Sequence, residues 1–173
     1  MLKYDYWLWE NAISKADCEY ILKDLNWEKV QSGLFFDKNK GFIKDNEKRV
    51  TETIWLPYAS IIGCVINTYI RNANKAAEWN FDLTDIENIQ IGRYKATGHY
   101  DWHKDLGEPN QDGIQRKLSC SVLLNDVSEF EGGNLEFKGM ENQPIMKQGS
   151  LIVFPSFIEH RVVPVTSGTR YSA

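Results

Sequence analysis

The chain has 173 residues, 42% hydrophobic and 25% charged, with a formal net charge of −4 and a pI near 5.4. This is the composition of one globular domain with a core of its own, and it lacks the basic face that broad nucleic-acid binding needs. The three cysteines, Cys18, Cys64 and Cys120, are scattered and form no Cys-x-x-Cys pair, which predicts free thiols in a reducing compartment and excludes a disulfide framework or a zinc site.

The N-terminal Met1-Leu2-Lys3-Tyr4-Asp5-Tyr6 has no basic stretch followed by an apolar run. No secretory leader is therefore predicted, and the expected location is cytoplasmic. Ser14-Lys15-Ala16-Asp17 has the form of a capping box, and Cys18, Ile21, Leu22 and Leu25 follow at helical spacing, predicting a helix over 15–25. The segment 31–55 has a turn-rich tip, Asp37-Lys38-Asn39-Lys40-Gly41. Its mixed charges (Lys38, Lys40, Lys44, Lys48 and Arg49 beside Asp37, Asp45 and Glu47) read as a solvated loop, with a mobile lid over 37–49 as the functional alternative. Pro57 starts a second helix over 58–78, with Ile62, Val65, Ile66, Tyr69 and Ala73 on one face. Its apolar part, 59–70, is too short for a membrane span and carries Asn67 and Thr68.

From residue 86 the pattern changes to short strands, near 88–95, 99–104, 117–125, 134–138, 149–154, 160–166 and 169–173, separated by Gly98, Gly107, Gly132-Gly133, Gly139 and Gly168. Two helices followed by many short strands predict an α+β, mostly β, single domain over 1–173. In it, 1–85 provides helical support and a lid, and 86–173 forms a jelly-roll core with the helices on the outside of the sheet.

His103-Lys104-Asp105, then His160 and Arg170, is the constellation that carries chemistry. Two imidazoles and a carboxylate suit a 2-His-1-carboxylate triad, which holds non-haem Fe(II) and leaves coordination positions open. On a strand, i and i+2 share a face, so His103 and Asp105 can converge while Lys104 points away. Strand 160–166, a turn at Ser167-Gly168 and a returning strand would put Arg170 on the strand beside His160. There its planar guanidinium could grip a carboxylate. His99-Tyr100-Asp101 is a second His-x-Asp triplet in the same segment.

Four stretches together resemble the Fe(II)/2-oxoglutarate-dependent dioxygenases, in particular the prolyl 4-hydroxylase-like group: Tyr94 to Asp105, Leu118 to Asp126, Phe130 to Phe137, and Gly149 to Phe154 with His160 to Tyr171. Arg49 to Leu56 is similar to an upstream strand of that group. The resemblance selects His103 over His99 and implies a double-stranded β-helix. It implies Fe(II) on His103, Asp105 and His160, the distal carboxylate of 2-oxoglutarate on Arg170, and a hydrogen bond from Tyr94 to the co-substrate. O2 is then the second co-substrate, and ascorbate is admitted as a reductant. The implied reaction is hydroxylation of an unactivated C–H bond, with a prolyl residue of a peptide or protein as the first-choice substrate. The alternatives are a free amino acid, an alkylated base, or a non-oxidative, cupin-like metal-binding jelly roll that has no use for Arg170.

The sequence departs from the group's pattern twice. Relatives continue the strand after the arginine with several apolar residues, whereas here only Tyr171, Ser172 and Ala173 follow, so the chain is either a fragment or has a short last strand. Some relatives carry a co-substrate-binding Tyr where Leu123 stands, so a helper is expected elsewhere, at Ser119 or Ser121.

Overall fold

A computed structural model describes residues 2–37, 39, 41–109, 111 and 113–173. The first strand, β1 (Trp7–Trp9), precedes α1 (Lys15–Asp24). The Ser14 side chain caps α1 by accepting from the Asp17 N–H, as the sequence predicts. β2 (Gln31–Ser32), β3 (Phe35–Asp37), β4 (Gly41–Ile43), β5 (Arg49–Val50) and β6 (Glu52–Leu56) come next. The expected lid is thus a β3–β4 hairpin, although Lys38 and Lys40 at its tip lie outside the described residues. The second helix, α2 (Ile61–Ala76), starts three residues later than Pro57 suggests, because Ser60 supplies the cap by accepting from the Gly63 N–H.

The C-terminal strands are β7 (Ile89–Tyr94), β8 (His99–His103), β9 (Leu118–Val122), β10 (Phe130–Gly132), β11 (Leu135–Phe137), β12 (Leu151–Pro155), β13 (His160–Val162), β14 (Val165–Gly168) and β15 (Arg170–Ser172). Every pairing is antiparallel. The larger sheets run β1-β12-β9, β11-β13-β8-β5 and β15-β7-β6-β2, with β10 on β14 and β3 on β4 as smaller pairs. The strand expected over 160–166 divides at Val163-Pro164. Proline has no N–H for a ladder, and the second piece leaves the sheet of β13 to pair with β10.

The apolar face of α2 (Ile62, Ile66, Ala73) packs on β9 and β12, and these side chains share a core with Ile89, Ile91, Val122, Leu151 and Val153. A second core of Tyr94, Leu135, Phe137, Ile152, Phe154, Val162 and Val165 lies on the other face of β12, because alternate residues of a strand point to opposite faces. β12 is buried along its whole length and serves both cores. The second core abuts the histidines of the candidate site. β5 and β6 join the sheets of the C-terminal strands, so residues 49–56 belong to the framework around that site. No helix among the described residues is long and apolar enough to cross a membrane.

Candidate metal centre

The site is built on the pairing of β13 with β8, in which His160 lies directly opposite His103. Cross-strand partners carry their side chains on the same face, ~5 Å apart at Cβ, and the two imidazole centres are 4.2 Å apart. A register shift between His160 and Val162 breaks the ladder just beyond this pair. Asp105 arrives differently from the strand-pleat expectation. β8 ends at His103, and Asp105 follows in a bend whose Asp105 and Leu106 N–H groups both donate to the Ser156 carbonyl (3.0 and 2.9 Å), at the end of β12. One ligand atom from each of His103, Asp105 and His160 falls within 4.8 Å of the others.

The proton arrangement shows that this set fits a cation. His103 Nδ1 faces the Asp101 carbonyl at 2.7 Å and His160 Nδ1 faces the Ile158 carbonyl at 3.0 Å. Each Nδ1 therefore carries the proton and donates it, which fixes the tautomer. The two Nε2 lone pairs then face the Asp105 carboxylate oxygens at 3.6 Å each, too far for a hydrogen bond. Three electron-rich atoms facing one another in a largely buried space are matched by a metal ion between them. Burial, and then the proximity of His160, push the His103 pKa down to about 4. Burial opposes the charge on Asp105, but His160, His103 and Arg116 outweigh it and hold the carboxyl below its usual range.

This sets a pH prediction. Metal capture needs neutral His103. With its pKa held near 4 in place of ~6.5, His103 protonation competes with the metal only in stronger acid. The unfolded chain takes up this proton first, so the stability contributed by neutral His103 is complete above pH ~6.5 and is lost as pH falls toward 4. In Mn(II) or Fe(II) titrations the part of the affinity that depends on neutral His103 should persist below pH ~6.5 and be lost as pH falls toward 4. A His103 imidazole that titrates near pH ~6.5 by NMR in the metal-free protein would contradict the burial argument.

His99 faces away from this centre. Its two nitrogens lie against the Thr97 and Glu47 carbonyls, at 2.9 and 3.2 Å. Tyr100 stacks on His103 with ring centres 3.5 Å apart, and burial pushes its phenol up to about 12. Trp102 lies under the Arg161 guanidinium, 4.6 Å from its ring.

Arg170 is 2% exposed, but it is not on the strand beside His160. The expected hairpin does not form: β15 pairs with β7, placing Arg170 opposite Tyr94 in a different sheet. The division at Pro164 carries the chain across before it returns. Arg170 donates to Ser172 Oγ at 2.8 Å, and its guanidinium lies 5.4 Å from the Tyr94 ring centre. No carboxylate pairs with it among the described residues, and burial lowers its pKa. It borders a cavity of about 170 Å³ lined also by Leu123, Phe130, Gly133, Leu135 and Met146. A small cavity that holds a buried cation with no carboxylate beside it suits a small anion. Ser172 is therefore the hydroxyl beside the arginine. Ser119 instead bonds Ser156 at 2.8 Å and assists Asp105.

Gly133 (φ +66°) makes this placement feasible, since a Cβ there would lie 2.9 Å from both Arg170 Cδ and Val165 Cγ2. Gly133→Ala should cost roughly 1–3 kcal/mol from backbone strain, with further loss if Arg170 moves. Denaturant melts check this, and an unchanged midpoint would refute it.

Two arginines were not singled out by the sequence reading. Arg116 lies 3.6 Å from Asp105 and makes a two-pronged ion pair with Glu87 at 2.9 and 2.5 Å. Arg49, grouped by sequence with solvated loop charges, is 8% exposed. It donates to the Leu34 carbonyl at 3.0 Å and to Gln90, and covers the Tyr100 ring at 4.5 Å.

Residues 89–173 match the model of the 2OG-Fe(II) oxygenase superfamily. A PKHD-type hydroxylase of Synechococcus sp. (strain CC9902) is 33% identical over 87 residues, covering 49% of this chain and 38% of the relative, so the chain spans well under half of that protein's length. A crystal structure described as viral collagen prolyl hydroxylase from Paramecium Bursaria Chlorella virus-1, in a 2OG complex, matches with a TM-score of 0.73 at 19% identity, covering 98% of this chain and 93% of that one. A prolyl hydroxylase from Trichoplax adhaerens, in complex with a hypoxia inducible factor peptide fragment, matches with a TM-score of 0.67 at 18% identity, covering 98% and 81%. At these identities the structural matches establish the shared fold.

Proposed function

We propose that this chain, whose residues 89–173 match the model of the 2OG-Fe(II) oxygenase superfamily, is a member of it and an Fe(II)- and 2-oxoglutarate-dependent hydroxylase of prolyl residues in peptides. The observation that carries the reading is the convergence of His103, Asp105 and His160 in a proton arrangement that calls for a cation. The PKHD-type relative and the two prolyl hydroxylase neighbours support the substrate class. The same likeness supports reading the antiparallel sheets as a double-stranded β-helix.

Bound Fe(II) supplies the capacity to couple O2 reduction and the oxidative decarboxylation of 2-oxoglutarate to C–H hydroxylation. The chain's residues do the rest. His103, Asp105 and His160 would hold the ion through two imidazole nitrogens and a carboxylate oxygen, a ligand set that suits Fe(II). The backbone carbonyls of Asp101 and Ile158 hold the imidazoles in the Nε2-binding tautomer. Arg170, steadied by Ser172, receives the distal carboxylate. Tyr94, opposite Arg170 in the ladder, lies with its ring centre 5.4 Å from the guanidinium. Phe137 and Phe154, packed on the His160 ring, keep water from that side. A non-oxidative metal protein would have no use for a buried, unpaired Arg170.

Succinate formation should require Fe(II), O2 and 2-oxoglutarate together and should rise when a proline peptide is added. A panel should set proline peptides against free proline, other amino acids and an alkylated base. Stimulation by the free amino acid or the base alone would move the substrate assignment, and no succinate under any condition would remove the activity.

A further inference from the structure

Residues 32–33, 44, 46 and 49–52, with Arg93, Lys95, Ala96 and Gly98, line a groove of about 360 Å³, and Arg49 of this lining covers the Tyr100 ring. Its lining includes Lys44, Arg49, Arg93 and Lys95 against one carboxylate, Glu52. Glu52 is shared by Arg93 (2.6 Å) and Lys95 (3.1 Å), so the groove keeps excess positive charge in a chain whose net charge is −4. Arg93 is further fixed by stacking on Trp27 at 4.2 Å. Two polar groups of the lining are buried with no hydrogen-bond partner among the described residues: Arg49 Nε and Thr51 Oγ1, on side chains that are each 8% exposed. Buried donors without partners are costly and mark places where a ligand or water completes the bonding.

We propose that this groove is a subsite for an acidic side chain of the peptide substrate, a refinement that rests on the hydroxylase reading above. The carboxylate is complemented by Lys44, Lys95 and Arg49 and accepts from the Thr51 hydroxyl. Glu52 repels a polyphosphate but can accept an N–H from a peptide backbone, which favours an acidic peptide over a nucleic acid. The path to the metal centre sets the spacing. Arg49 covers Tyr100 at 4.5 Å and Tyr100 covers His103 at 3.5 Å. At ~3.3 Å per extended residue, these two layers correspond to roughly two or three positions along a bound chain.

The test compares fluorescein-labelled proline peptides that differ only in Glu against Gln at two or three positions on either side of the proline. Binding to the Fe(II)- and 2-oxoglutarate-loaded protein without O2 is read by anisotropy. At one of these positions Glu should bind about tenfold tighter than Gln, equivalent to ~1.4 kcal/mol, with the preference shrinking as salt is raised. The preference should largely disappear in Lys44→Gln/Lys95→Gln, which alters exposed side chains. It should also weaken in Thr51→Val, which keeps the shape and removes the unpartnered hydroxyl. Absence of a Glu preference at every position, including failure of either peptide to bind, overturns the proposal, as does a preference that survives the double substitution. Succinate is measured in parallel. A Glu preference without turnover of any peptide sinks the hydroxylase reading and leaves the groove assignment standing, whereas turnover without the preference sinks the groove assignment alone.

Discussion

Replacing His103, Asp105 or His160 singly with alanine is expected to reduce Fe(II)-dependent turnover by more than ~100-fold, because loss even of a residue that merely orients a metal ligand costs about 10–100-fold in affinity or activity. Each substitution removes one of three inward-facing donors that backbone contacts already hold in place: the Asp101 carbonyl for His103, the Ile158 carbonyl for His160, and the Ser156 carbonyl for the bend that carries Asp105. The loss should appear as lost metal binding in a folded protein, with the far-UV circular dichroism spectrum unchanged. His99→Ala is the control. Its two ring nitrogens lie against the carbonyls of Thr97 and Glu47, so metal affinity should stay within about twofold of wild type. Near-normal turnover in any of the three triad variants, or lost metal binding in His99→Ala alone, would overturn the ligand assignment.

Arg170→Met should have opposite effects on the co-substrate and on the empty protein. Losing a charge-assisted contact to a buried guanidinium costs on the order of 1.5–3 kcal/mol, or about 10–150-fold in 2-oxoglutarate affinity. Arg170→Lys should recover only part of this, since an ammonium cannot reproduce the planar fork. Without co-substrate, however, wild-type Arg170 is a cation 2% exposed with no carboxylate partner among the described residues. Burying such a charge is unfavourable, and an apolar side chain of similar length should leave the co-substrate-free protein at least as stable. Thermal melts with and without 2-oxoglutarate separate the two effects. The variant should match or exceed the wild-type Tm when empty and should lose the upward shift on ligand addition. A lower Tm when empty, together with a full ligand-induced shift, would show Arg170 to be a structural residue.

The legibility of this molecule in its sequence depends on how local each determinant is. The α1 cap, the α2 apolar face and most of the C-terminal strands are set by neighbours within a few residues and appear close to where the periodicity puts them, whereas β10 was not expected and the 160–166 strand divides. The His103–His160 partnership was legible because His103 begins a His-x-Asp triplet and His160 opens a separate later strand that can be brought alongside it. What the sequence hid is long-range. β15 pairs with β7, not with the strand of His160, because the chain breaks at Pro164 and crosses to β10 first, and only the assembled sheets fix that choice. Arg49 looks like one more loop charge until β5 docks on β8 and lays its guanidinium over Tyr100. Arg116 stands outside any regular element, and nothing in its neighbourhood announces the ion pair with Glu87 or the approach to Asp105. Ser172, by contrast, was within reach of the sequence, because the strand expected over 169–173 already puts i and i+2 on one face beside Arg170.

The central claim is that a metal centre of His103, Asp105 and His160, with Arg170 binding the co-substrate, couples 2-oxoglutarate breakdown to substrate hydroxylation. Turnover of a proline peptide under 18O2, followed by mass spectrometry of both products, tests it most directly. The account predicts one labelled oxygen atom in succinate and the other in the hydroxylated peptide, in equal amounts, with both labels lost together in His160→Ala. Succinate that forms without labelled peptide for every substrate tried, or a peptide hydroxyl that takes its oxygen without consuming 2-oxoglutarate, would contradict it.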